Sequence, residues 1–165
     1  MSSKNLLAEI EFEITSTKKL LDRIPEDKLT WKPHERAMTL AELGYHVATI
    51  PGTYTTFVDE GKTEVSVLIK HFIPTTKKEI IDGFTQSMAK ATSVLEKSTD
   101  AWDGKDWHLT KNGQPVFTLS RGVFCRILVL NHWYHHRGEL VTYLRALNVL
   151  IPSVYGPSAD EDPFA

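Results

Sequence analysis

The stretch "LNHWYHHRGELVTYLRAL", Leu130 to Leu147, holds three of the chain's seven histidines: His132, His135 and His136. Residues four apart on a helix lie one above the other. At about 100° per residue, His136 falls about 40° to one side of His132 and Leu128 about 40° to the other. Cys125, Val129, Glu139, Leu140 and Tyr143 fall in the same sector. His132 and His136 therefore point where the core stripe points. His135 lies about 60° away on the opposite edge, where it also neighbours His132.

This helix is predicted from about Leu119 or Ser120 to Leu147, with Asn148 as its stop. Working outward, three more helical segments can be read. The first, about Asn5 to Ile24, carries the stripe Leu6, Leu7, Ile10, Ile14, Thr17, Leu20, Leu21 and Ile24, and Pro25 ends it. The second opens on "TLAE", where Thr39 and Glu42 form a capping box, and it runs to Gly61. Pro51-Gly52 predicts a kink or break midway. The third opens the same way, with Thr76 and Glu79, and its inner stripe is Ile80, Ile81, Phe84, Met88, Ala91 and Leu95.

The connection "PEDKLTWKPHERAM" is punctuated by Pro25 and Pro33. Between Ser98 and Ser120, Gly104, Asn112-Gly113 and Pro115 predict an irregular or hairpin-like connection. At ~20 residues it is longer than an up-down bundle requires, so it has room to carry function or pack as a flap. The tail "IPSVYGPSADEDPFA" reads as extended. Four helices with no strong strand signal predict an all-α four-helix bundle.

Composition places residues 1–165 in one domain of ordinary globular type, 41% hydrophobic and 24% charged. A formal charge of −2 leaves no electrostatic footprint for nucleic acid. No apolar run reaches the ~20 residues of a membrane helix. "MSSKNLLAEIEFEI" has three Glu among its apolar residues and lacks the core of a signal peptide, so the expected location is cytoplasmic. Cys125 is the only cysteine, which forbids an internal disulfide and fits a reducing compartment.

His46, in "ELGYHVATIPG", shares a helical face with Leu43, Ile50, Thr53 and Phe57 and should also point inward. Three imidazoles from two helices can then meet in the core. Two at i and i+4, with Cβ atoms ~5–6 Å apart, can reach one ion through bonds of ~2.0–2.1 Å. A third completes a facial set and leaves positions open, as at catalytic rather than structural zinc. Glu42 and Glu139 lie within a turn of His46 and His136, placed to orient a ligand or accept a proton. The competing reading makes the histidines hydrogen-bonded core groups.

His135 rivals His136, because i,i+3 spacing also chelates. His34 reads as solvated and His71 as structural, while His108 is a candidate to fold over the site. Cys125 reads as an inert buried thiol. Trp31, Trp102, Trp107 and Trp133 read as packing, and Arg137 as an anchor paired with a carboxylate. No GxGxxG, P-loop, GxSxG or CxxC occurs, which removes the usual nucleotide, serine hydrolase and thioredoxin classes.

"LTWKPHERAMTLAELGYHVA" and, further along, "NHWYHHRGELVTYLRALNV" resemble the DinB-like superfamily. These are small, mostly bacterial four-helix proteins that include YfiT-type hydrolases and thiol-dependent S-transferases. The resemblance covers nearly the whole chain. It implies up-down-down-up helix order with a long crossover between helices two and three. It also implies a divalent metal, often nickel or zinc, on His46, His132 and His136, with His135 not a ligand. Glu139 stands where relatives often carry Gln. Members are commonly homodimers, and an apolar outer face of helix four (Val123, Ile127, Leu130, Tyr134, Val141) independently suggests a partner surface.

The leading expectation is a metal-dependent enzyme, a thiol S-transferase or hydrolase, acting on a small cytoplasmic substrate. Its ion would lower the pKa of a bound water or thiol toward ~7. The rivals are a metal-binding or stress-response module without turnover, and a metal-free dimeric interaction protein.

Overall fold

A computed structural model describes residues 3–68 and 72–164; His71, read above as structural, lies outside them. Helix α1 spans Ser3–Leu21 and buries Leu6, Ile10, Thr17, Leu20 and Leu21, the predicted stripe. A 3₁₀ turn at Glu26–Lys28 leads through the proline-punctuated connection to α2, Leu40–Glu60. Both predicted capping boxes are present: Thr39 with Glu42 on α2, and Thr76 with Glu79 on α4, Lys77–Leu95. Gly61 closes α2 at φ 77°, a left-handed conformation that glycine adopts without steric cost.

Of the kink or break expected at Pro51, the break does not occur, because the groups that proline leaves unpaired find other partners. Pro51 cannot donate to the Val47 carbonyl, and the buried Trp133 indole donates there instead, at 2.9 Å. The Gly52 N–H donates to Ser87 Oγ at 2.8 Å. Gly52 also permits close approach of α4, since a Cβ there would lie 2.5 Å from the Ser87 carbonyl oxygen. The helix thus continues unbroken to Glu60.

Residue pairings set the senses of the helices. Gly44 packs on Ile80 and Gly52 on Ser87, so α2 and α4 run the same way. Met38 meets Tyr143 while Val47 meets Trp133, so the last helix, α7 (His132–Ala146), runs against α2. Glu9 meets Arg126 and Glu13 meets Arg137, so it runs with α1. Leu20, Leu43, Ile80, Phe124 and Trp133 belong to the shared core.

The chain is mostly helical but not all-α. After α2 come β1 (Lys62–Glu64) and a short α3 (Val65–Leu68). After α4 come a short α5 (Asp100–Asp103), β2 (Asp106–Lys111) and β3 (Gln114–Ser120). The strands form one sheet in the order β1-β2-β3, with β1 parallel to β2 and β2 antiparallel to β3. Asn112 and Gly113 make the hairpin turn at φ 52° and 76°, as their identity predicts. Three residues are too few to show alternation, so β1 left no mark in the sequence. Its partner exists only because the chain returns to it from far away.

The fourth helix also differs from its prediction. Leu119 and Ser120 end β3, and the helix opens as α6 (Arg121–Phe124). It then passes through a π-helical stretch, Cys125–Asn131, before α7. The outer face is narrower than the wheel drew it, because the side that carries Leu130 and Arg137 packs toward α1, where Arg137 meets Glu13. Leu130, assigned above to the outer face, is fully buried, whereas Val123 and Ile127 remain exposed. Tyr134 and Val141 are half-buried. Asn148 stops the helix in the left-handed region, at φ 58°. The tail, without helix or strand, runs back along the molecule, with Asp160 held by Arg145 at 2.6 Å and by the Ile151 N–H at 2.8 Å.

Candidate metal centre

His46 on α2 and His132 on α7 face each other because the neighbouring pair, Val47 and Trp133, is hydrogen-bonded in the core. His136 lies one turn beyond His132 on the same face. The ring centroids are 5.0 Å apart for His46–His132, 4.5 Å for His46–His136 and 4.7 Å for His132–His136. Each ring offers one nitrogen, and the three lie within 4.8 Å of one another. The structure therefore brings together the three histidines expected to meet.

His46 Nε2 and His132 Nε2 are 3.2 Å apart. Two ligands ~2.1 Å from one ion would be about 3.0 Å apart at a right angle and about 3.4 Å apart at the tetrahedral angle. The observed spacing falls between these values, so this pair fits a shared divalent ion. Burial first, and the adjacent His136 second, push the His132 imidazole down to about 4. At neutral pH the ring is neutral, the form a metal ligand must take. Its buried Nδ1 makes no well-formed hydrogen bond, although the Leu128 carbonyl one turn back pulls its pKa weakly upward.

Glu139 does what its place on the wheel suggests. One carboxylate oxygen lies 2.6 Å from His136 Nδ1. A carboxylate only accepts, so Nδ1 carries a proton, and in the neutral ring Nε2 is then the nitrogen with the lone pair. Its other oxygen lies 3.3 Å from Nε2 of His135, whose side chain is 63% exposed. His135, His136 and Glu139 thus form a second group with ligand-type spacing, at the surface. Glu42 lines a cavity beside His46, and its Oε2 accepts from Thr39 N–H at 2.7 Å and Thr39 O–H at 2.8 Å. Among its partners is the helix cap.

The remaining candidates go elsewhere. His34 is exposed and accepts the Arg36 N–H at 3.1 Å. His108 does not fold over the site; it lies 2.9 Å from Thr118 across the hairpin. Burial pushes the Cys125 thiol up to about 12, so it is inert at neutral pH. The indoles of Trp102, Trp107 and Trp133 donate to Asp59, Thr63 and Val47, and Trp31 packs edge-on against Tyr143. Arg137 pairs with Glu13 at 2.6 Å in the core.

The cavity beside His46, about 230 Å³, opens between α2 and α4 and is flanked by α3 and Phe72. Tyr54 joins it to the triad: it lines the cavity, and its ring stands edge-on to His132 at 4.9 Å. Burial raises its phenol above the ordinary value. Tyr54 and the α4 wall left no signal in the sequence. The role of Trp133 did leave one, because a proline in mid-helix frees a carbonyl that some donor must satisfy.

The sequence model of the DinB family matches residues 1–162. The chain belongs to the DinB family. This DinB-family chain is 24% identical over 159 residues to YrdA of Bacillus subtilis, itself uncharacterized, covering 95% of the chain and 90% of YrdA. Its fold is similar to that of a DinB-like protein from Bacillus cereus, with a TM-score of 0.71, 23% identity and coverage of 92% and 97% of the two chains. A second DinB-like structure, YjoA of Bacillus subtilis, gives a TM-score of 0.68, 19% identity and coverage of 87% and 92%. Among the described residues no helix is long and apolar enough to cross a membrane.

Proposed function

We propose that His46, His132 and His136 hold a divalent metal ion, nickel or zinc, and that this DinB-family protein is a metal-dependent enzyme of thiol S-transferase or hydrolase type. The observation that carries this reading is the convergence of three imidazoles, one of them set in its tautomer by Glu139. Three neutral ligands leave coordination positions open for a reactant. When bound, such an ion supplies Lewis acidity, polarising an electrophile and favouring the deprotonated form of a nucleophile it contacts.

The chain's own residues supply the rest. His132 stays neutral, Glu139 holds the His136 proton at Nδ1, and the cavity beside His46 gives a small substrate room next to the site. Helix senses support an up-down-down-up bundle forming one domain. The exposed Val123 and Ile127 are the part of the outer face still available to a homodimer, and a cytoplasmic location suits the single reduced cysteine.

A second reading, a metal-binding module without turnover, is favoured by one observation. Both carboxylates near the triad are engaged, Glu42 with the α2 cap and Glu139 with two histidines, so neither is held in reserve as a general base.

Elemental analysis of untagged protein tests the site. About one nickel or zinc per chain is expected in the wild type, with a large loss in His46→Ala. A panel of thiol acceptors and esters tests the reaction. Turnover that vanishes in a His132→Ala, His136→Ala double variant supports the enzyme, whereas turnover that persists there removes it. Tight metal binding without turnover selects the module.

A further inference from the structure

Resting on the reading of the His46 cavity as a substrate site, we infer that its far end is a subsite for an organic anion, with Lys90 as the binding cation. The argument begins with helix register. Because α2 and α4 run the same way, with Gly44 against Ile80 and Gly52 against Ser87, residues on facing turns line the cavity at matching levels. His46 belongs to the level of about residue 82, and Lys90 to that of about residue 55. At 1.5 Å per residue, about 12 Å of helix separates them.

The walls between these levels differ in character. At the His46 end, Tyr45 and Phe72 form an apolar shelf, packed at 4.9 Å between ring centroids. Past the shelf, Thr53, Gln86 and Lys90 line the cavity and are solvent-exposed. Lys90 is the one cationic side chain lining the cavity among the described residues, and it forms no ion pair or hydrogen bond with any of them. Neighbouring lysines behave differently: Lys78 of the same helix pairs with Asp82, and Lys97, just past its end, bonds Ser93. The one acidic wall residue, Glu42, lies a turn before His46, at the opposite end.

This polarity selects a ligand class. A cavity of about 230 Å³ is smaller than the usual ~300–1,000 Å³ of ligand sites, so it suits a small metabolite. The favoured ligand places its reacting group at His46, lays an apolar body on Tyr45 and Phe72, and presents a carboxylate or phosphate to Lys90. Thr53 and Gln86 add neutral hydrogen-bond donors.

The test uses three matched probes on the full-length protein: 4-phenylbutyrate, its neutral amide, and 3-phenylpropyl phosphate, titrated by calorimetry. Both anions are expected to bind about fivefold more tightly than the amide. Lys90→Gln should abolish that preference and Lys90→Arg should retain it, while Phe72→Ala weakens all three probes together. A preference for only one anion identifies the headgroup. Equal binding of anions and amide, a preference that survives Lys90→Gln, or no binding of any probe at millimolar concentration overturns the proposal. Metal content of Lys90→Gln is read alongside. Its loss in His46→Ala but not in Lys90→Gln keeps the two readings separate, and a metal-free wild type that still prefers anions would remove only the triad reading.

Discussion

On α7 two polar clusters stand side by side: His136 faces α2, and its neighbour Arg137 faces α1. Arg137 is 3% exposed and is satisfied on every side. Its guanidinium donates to Glu13 at 2.6 Å and to Thr17 at 3.0 Å, donates again to the Tyr155 hydroxyl, and lies over the rings of Trp133, Tyr134 and Tyr155. The histidine cluster next to it is arranged differently. Its three ligand-type nitrogens lie within 4.8 Å of one another, and Glu139 holds the His136 ring from its other side. A cation and a carboxylate satisfy each other, whereas like groups that converge on one point suit a cation between them. Residue type alone would have nominated both clusters; convergence separates them.

The comparison breaks most visibly at Arg137. Arg137→Ala strands the buried Glu13 carboxylate and should cost about 3–5 kcal/mol in chemical denaturation. Its folded fraction should still bind metal as the wild type does. A large loss of metal affinity without loss of stability would place Arg137 in the other cluster.

Trp133 links the two. Trp133→Phe leaves the Val47 carbonyl buried without a donor, at a cost of about 1–3 kcal/mol in thermal or denaturant unfolding. Because that bond holds His132 opposite His46, metal affinity measured by competition with a chelator should fall as well. Destabilisation with unchanged affinity would show that the triad is aligned by other contacts.

Glu139 sharpens the contrast within the histidine cluster. Glu139→Ala should weaken metal binding by about 10–100-fold with little effect on the metal-free protein's unfolding. Glu139→Gln keeps an acceptor for the His136 proton and should lose less. His135→Ala, at the exposed edge, should stay within about 0.5 kcal/mol of wild type in stability and leave the metal in place.

The smallest effect concerns Cys125. The folded state keeps its thiol protonated to about 12, whereas the unfolded chain releases the proton near 9. Between those values the unfolded state binds fewer protons, so Cys125 contributes stability below about pH 9 that is lost as pH rises toward 12. Iodoacetamide at pH 8 should therefore label Cys125 only after unfolding. Rapid labelling of the folded protein would mean that the thiol is accessible.

Much of this was written locally. Thr39-x-x-Glu42 and Thr76-x-x-Glu79 announce helix starts because the capping bonds close within four residues. Asn112-Gly113 announces its turn because few residues tolerate positive φ twice in succession. The inward pointing of His46, His132 and His136 follows from helical period. The wheel failed where a second packing face was overlooked: Leu130 lies about 20° from the buried Arg137, which turns to Glu13 of α1, and no residue between Cys125 and Asn131 signals the π winding.

By itself, then, the sequence determined the helices, their caps, their inner faces and the histidines able to share an ion. These depend on contacts within a few residues, where steric and hydrogen-bonding rules act directly on the chain. The tertiary structure decided that β1 is a strand, that α2 survives Pro51, and that Lys90 shares a cavity with His46. Each of those depends on a group far along the chain arriving at the right level and from the right side. No local pattern carries that information, because it resides in how the helices dock.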